Sequence, residues 1–264
     1  MPSFATPWTR ADWAWILLPA VIPALLALAV LQAETNTSLF LAWNQASRVL
    51  PAEFWAGITN IASTGGAFAL LAVALHWQPR WAAAALLALP AGSLYAHGLK
   101  TLFQEARPGA VLDPDQIWIV GRVLKANAFP SGHSVTAFGI GAAVALCCLT
   151  PGRRWLAWVA LAVAALAAFS RVAVGAHWPL DIFAGAAGGW LCGALGVWWS
   201  SRWRFWTRPN GIRIMAGIIG LSSLWLFFDD LGYPEGLWMQ YLLAAAGCVG
   251  AAYAILRPLP RGMA

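Results

Sequence analysis

Three short clusters hold the residues best suited to chemistry. The first runs from Lys100 to Arg107 and Pro108, the second is Pro130-Ser131-Gly132-His133, and the third links Ser170 and Arg171 to His177 and Asp181. Lys100, Arg107 and Arg171 supply three cations. Gly132 lets a ligand come close to the backbone, and the free N–H groups of a helix starting there would favour an anion. Ser131 adds a hydroxyl donor. His133 can give or take a proton near neutral pH. His177 and Asp181 stand four residues apart, so even partial helix brings them together. An aspartate that accepts from one imidazole nitrogen fixes the tautomer and leaves the other nitrogen able to attack. A phosphoryl group in transfer needs cations around its equatorial oxygens, an in-line nucleophile and an acid for the leaving oxygen. Each cluster alone also fits an ordinary helix end, with a serine cap or a cation at a C-terminus. Taken together they fill every one of those roles.

The elements that must position these residues are membrane helices. The chain has 264 residues, 61% hydrophobic and 10% charged, with 18 tryptophans and a mean hydropathy of +0.67. A soluble domain carries about a quarter charged residues, so the fold class is an all-α polytopic membrane bundle. Stretches free of charge mark eight spans: 13–33, 54–79, 81–99, 126–152, 155–170, 182–201, 214–228 and 236–256. The fifth extends past Arg171 toward Val174. Tryptophans near span ends, such as Trp77, Trp81, Trp155 and Trp198, suit an interfacial belt. The apolar run of the first span is longer than a signal-peptide core, so it reads as a retained helix. Leu39 to Trp43 suggest a short helix lying on the membrane surface. Lys100 and Arg107 share a face if the third helix continues to Pro108, which then stops it. Pro130 and Pro179 suit first turns of the fourth and sixth helices.

The net charge of +6 does not indicate nucleic acid, because ten of the sixteen basic residues sit in short loops between apolar runs. Arg10, Arg80, Arg153, Arg154, Arg202, Arg204, Arg208, Arg213, Arg257 and Arg261 fall on one side of an eight-span topology, against the single acid Asp12. That side is cytoplasmic by the positive-inside rule, with both termini, and the three clusters face the exterior. The four cysteines lie inside apolar stretches without zinc-type spacing, which argues against a disulfide scaffold.

The combined pattern K-x6-RP, PSGH and SR-x5-H-x3-D closely resembles the type 2 phosphatidic acid phosphatase superfamily. The resemblance spans residues 100–181 and implies a six-helix core over 1–201. Residues 202–264 then form two additional C-terminal helices. It implies that His177 is the nucleophile, Asp181 its orienting partner and His133 the general acid. It also implies that Lys100, Arg107, Arg171, Ser131, Ser170 and the backbone at Gly132 hold phosphate. No cofactor or metal is required, and no carboxylate cluster of the two-metal kind stands in the sequence.

The function so implied is a metal-independent lipid phosphatase working through a phosphohistidine at the external face of a bacterial inner membrane. Undecaprenyl pyrophosphate is the preferred substrate, since recycling that carrier demands an external site. Phosphatidylglycerol phosphate, phosphatidic acid and a lipid A phosphate are the other candidates. The alternatives are a phosphotransferase with a lipid or sugar acceptor, and a non-catalytic lipid-binding or transport protein.

Overall fold

The computed structural model of the chain describes residues 10–257, and regular structure among them is entirely helical. Arg261, counted in the charge bias, lies outside the described residues. The helices in chain order are α1 (Arg10–Gln32), α2 (Asn36–Ala46), α3 (Ala52–Ile61), α4 (Thr64–Ala74) and α5 (Pro79–Phe103). A single turn, α6 (Pro108–Val111), precedes α7 (Gly132–Leu146), α8 (Arg154–Ala173), α9 (Pro179–Arg202), α10 (Pro209–Trp225) and α11 (Leu237–Leu256). Five described helices are long and apolar enough to cross a membrane, or six if the bent pair α3–α4 is one span. Their outer faces carry exposed Leu17, Leu18, Ile22 and Leu25 on α1 and Trp155, Trp158 and Val159 on α8. An apolar exterior of that extent belongs in lipid.

Several expectations about the spans are corrected. The span read over 54–79 is two helices bent by 70°. Ser63 causes the break: its side chain accepts a hydrogen bond from Gly66 N at 3.0 Å and starts a new helix. The span read over 126–152 is helical only from Gly132 to Leu146, 15 residues or about 22 Å at the helical rise. Pro130 stands before that helix rather than in its first turn, and Ser131 is the cap. The third helix runs on to Phe103, where Gln104 turns left-handed at φ 49°. Arg107 therefore reaches its place from extended backbone and shares no helical face with Lys100. One further predicted span, 214–228, coincides with the 17-residue α10, which like α7 is short for a full crossing. By contrast, Pro179 occupies the first turn of α9 as expected.

Helix α7 sits centrally, against α5, α8 and α9. Small residues let α9 come close. A Cβ at Gly185 would lie 2.7 Å from Ser131 O, and one at Gly189 would lie 2.5 Å from Val135 O. Such contacts draw the start of α9 onto the start of α7. A backbone bond from Ser131 N to Asp181 O, 3.1 Å, fastens the two ends. Helix α2 is more than a surface helix, because Phe40 and Asn44 are fully buried. Asn44 Nδ2 reaches the carbonyls of Val172 and Ala173 at 3.1 Å, satisfying the end of α8. The pair α10–α11 packs on α4, and its connecting segment, 226–236, returns to the end of the bundle that holds the three clusters.

Candidate active site

His177 and Asp181 meet at the junction of α8 and α9. His177 Nδ1 lies 3.1 Å from Asp181 Oδ2, and the same oxygen accepts from Trp178 N at 2.9 Å. Both side chains are almost wholly buried, at 1% and 2% exposure. On the other side of the ring, Arg107 NH1 lies 3.1 Å from His177 Nε2. A guanidinium only donates, so Nε2 must present its lone pair, and the proton sits on Nδ1 facing the carboxylate. The ring is thus held in the tautomer that leaves Nε2 nucleophilic.

His177 lies in the segment between α8 and α9. Burial, and then the charges of Arg107, Arg171 and Lys100 with His133 behind them, push its pKa well below the ordinary 6.5. The imidazole is therefore expected to stay neutral where a free one would be protonated. Nitrogen-15 NMR of the histidine rings in detergent should show His177 as the neutral Nδ1–H tautomer at pH 6. Because the unfolded chain takes up a proton that native His177 refuses, stability falls progressively as pH drops below about 6.5 and down through the lower native pKa. A His177 ring that titrates at or above pH 6.5 contradicts this reading.

Arg107 ties the clusters together. Its Nε donates to Ala126 O at 2.7 Å and NH1 donates to Ala176 O at 3.0 Å, beside His177. Lys100 Nζ donates to Asn127 O at 2.6 Å, and Arg107 NH2 reaches the same carbonyl at 3.3 Å. Asn127 adopts the left-handed conformation, φ 56°, that turns this carbonyl toward both cations. His133, on the first turn of α7, lines a cleft of about 440 Å³ together with Lys100 and Gly132. No atom lies within 4 Å of a Cβ built at Gly132, so the helix start is open to a ligand. The cleft follows α5 from Lys100 down to Ala85, with Leu89 and Ile140 on its lower walls. Fifteen residues of helix make this about 22 Å, polar at one end and apolar at the other.

The two serines stand apart from the cleft. Ser131 Oγ accepts from Ser134 N at 3.3 Å and from Ser134 Oγ at 3.0 Å, as a buried cap. Ser170 Oγ donates to Ala167 O at 2.7 Å and meets Thr59 Oγ1 at 2.9 Å. Thr59 in turn accepts from Arg171 NH1 at 2.9 Å. Ser170 thus braces Arg171 through Thr59. Thr59 escaped the sequence reading, although a polar Thr59-Asn60 pair inside an apolar run was a usable signal. Among the described residues no group of three or more His, Cys, Asp or Glu side chains is placed to hold a metal ion.

The chain is similar to known membrane phosphatases over the region that holds these residues. Residues 81–205 match the family model described as PAP2 superfamily. A lipid A 1-phosphatase from Porphyromonas gingivalis is 42% identical over 75 residues, 28% of this chain and 16% of that protein. The bacitracin transport permease protein BcrC of Bacillus licheniformis is 40% identical over 84 residues, 32% of this chain and 35% of that protein. An undecaprenyl-diphosphatase from Sulfolobus acidocaldarius is 37% identical over 67 residues, 25% of this chain and 29% of that protein. The matched stretches therefore span about a third or less of these relatives. The crystal structure of Aquifex aeolicus LpxE superposes with a TM-score of 0.55 at 26% identity, covering 61% of this chain and 94% of that one. A PAP2-type phosphatidylglycerolphosphate phosphatase from Bacillus subtilis has the same fold, with a TM-score of 0.54 at 20% identity over 72% of this chain and 97% of that one.

Proposed function

The chain is a membrane protein of the PAP2 superfamily, and from that premise we propose that it hydrolyses a lipid phosphate or diphosphate through a phosphohistidine on His177. The observation that carries this reading is the buried His177–Asp181 pair, whose imidazole keeps the Nε2 lone pair turned away from the carboxylate and toward Arg107. Nε2 attacks phosphorus, and the bond from phosphorus to the leaving oxygen breaks. His133 gives that oxygen a proton. The same ring, now basic, takes a proton from water, whose oxygen attacks the phosphohistidine and returns His177 and inorganic phosphate. Arg107, Lys100 and Arg171 hold the phosphoryl oxygens, with the backbone at Gly132 and the α7 start behind them. In the resting site Lys100 and Arg107 rest on backbone carbonyls of 126–127, which an anionic substrate displaces. Ser131 shapes the helix start, and Ser170 acts through Thr59 on Arg171.

In this reading residues 1–201 are the phosphatase core, and 202–264 supply an added helix pair. The charge bias puts both termini in the cytoplasm and the site on the external face of a bacterial inner membrane. The apolar length of the cleft suits a lipid tail below the phosphate. Undecaprenyl diphosphate is the preferred substrate, supported by the similarity to an undecaprenyl-diphosphatase. A lipid A phosphate, supported by another such similarity, phosphatidylglycerol phosphate and phosphatidic acid are the alternatives. Transfer to a lipid or sugar hydroxyl would use the same phosphohistidine. A transport role, which the name of a third relative suggests, has no need of the His177–Asp181 pair.

The test is phosphate release from a panel of these lipids in detergent, with chelator present. Three cations and a helix start replace the charge that Mg²⁺ supplies elsewhere, so the rate should change less than about twofold on chelation. Loss of turnover with chelator and recovery on adding Mg²⁺ would remove the phosphohistidine reading.

A further inference from the structure

Arg171 is among the largest fully buried side chains of the protein, at 1% exposure. A cation held so far from water needs a seat, and its own helix provides little of one. Thr59, from α3, accepts from NH1 at 2.9 Å. The second support comes from the segment between α10 and α11, where the guanidinium carbon lies 5.3 Å from the centroid of the Tyr233 ring. That distance is within the range of a cation–π contact, which strengthens when the pair is desolvated. Tyr233 is itself 5% exposed and packs with Trp55, Val174 and Ala176, next to His177.

The backbone around Tyr233 is built for this placement. Arg122 N donates to Gly232 O at 2.8 Å, and Gly232 N donates to the Asp230 side chain at 2.8 Å. Gly121, at φ 73°, passes beneath the ring, where a Cβ would lie 2.7 Å from Tyr233 Cδ1. With NH1 committed to Thr59, Arg171 Nε remains a buried donor without a partner. A buried unpaired donor is costly unless something else satisfies it.

We propose that Tyr233 is a positioning residue for Arg171: its ring supports the guanidinium while Thr59 holds NH1, leaving Nε as the donor kept for a substrate oxygen. The α10–α11 pair then serves the phosphate cradle, although it lies outside the stretch that matches the family. This inference rests on the phosphatase reading above, because it assigns Arg171 a phosphoryl oxygen.

The test is orthovanadate binding to the full chain in detergent, measured by titration calorimetry, beside KM and kcat for the preferred lipid. Tyr233→Phe keeps the aromatic face and should bind vanadate within about twofold of the parent. Tyr233→Leu and Tyr233→Met lose that face and should bind about tenfold more weakly, with KM rising in step. Thr59→Val removes the other half of the seat and should show a loss of the same order. In an Arg171→Lys background the Tyr233 substitutions should add less than about twofold, because the group they position is gone. Two results overturn the proposal: unchanged vanadate affinity in both the leucine and methionine variants, or an undiminished loss in the Arg171→Lys background. A parent chain that binds no vanadate removes the phosphatase reading, and this role of Tyr233 with it. Binding by the parent with no effect of the substitutions removes only the role of Tyr233.

Discussion

His177→Ala should lower phosphate release from the preferred lipid by about four orders of magnitude or more. The imidazole is the one group whose lone pair is both free of the carboxylate and aimed at the Arg107 guanidinium, 3.1 Å away. Without it, water would have to attack directly at a site arranged for a fixed nucleophile. The cations remain, so vanadate and substrate should still bind within about tenfold, and the loss should fall on kcat. Some stability should go too, because Asp181 Oδ2 keeps only the Trp178 N–H, with a cost of about 1–3 kcal/mol for the unpaired carboxylate. Circular dichroism and the thermal midpoint in detergent separate that loss from the catalytic one. A His177→Ala enzyme with more than a tenth of parental kcat contradicts the account.

The second large effect is expected at Asp181. One oxygen, Oδ2, serves both His177 Nδ1 and Trp178 N, so the amide oxygen of Asp181→Asn can take the same place. The geometry survives and the negative charge does not. That charge is needed when Nε2 bonds to phosphorus and the ring becomes cationic inside a buried site. The asparagine enzyme should lose about a thousandfold in kcat with KM little changed, while Asp181→Ala should lose more, since nothing then orients the ring. A kcat for Asp181→Asn within about tenfold of the parent would reduce the carboxylate to a structural fastener.

The convergence of Lys100, Arg107, His133, Arg171, His177 and Asp181 was legible from residue type and spacing, because His177–Asp181 and Gly132–His133 are local relations along the chain. The route by which Arg107 arrives was not. A seven-residue spacing looks helical, yet the left-handed Gln104 ends α5 and the 125–128 backbone receives the arginine. The break between α3 and α4 was hidden as well. Charge-free windows register composition, whereas the bend depends on a single serine side chain capping a glycine amide. Short α7 misled for a related reason: residues 126–131 carry no charge and so joined the span, but the carbonyls of Ala126 and Asn127 are spent on Lys100 and Arg107. Tyr233 could not be foreseen. Its contact with Arg171 joins residues far apart in the chain, and a lone tyrosine beside a glycine carries no pattern.

The central claim is a covalent bond between phosphorus and His177 Nε2, and trapping that intermediate tests it most directly. The full chain in detergent is mixed with lipid substrate labelled in the departing phosphoryl group, stopped in alkali within a turnover, digested and sequenced by mass spectrometry. The account predicts a label stable to alkali and lost in acid, confined to the peptide carrying His177 and absent from His177→Ala. A label on His133 or on a carboxylate, or full turnover with no labelled chain at any time, would contradict it.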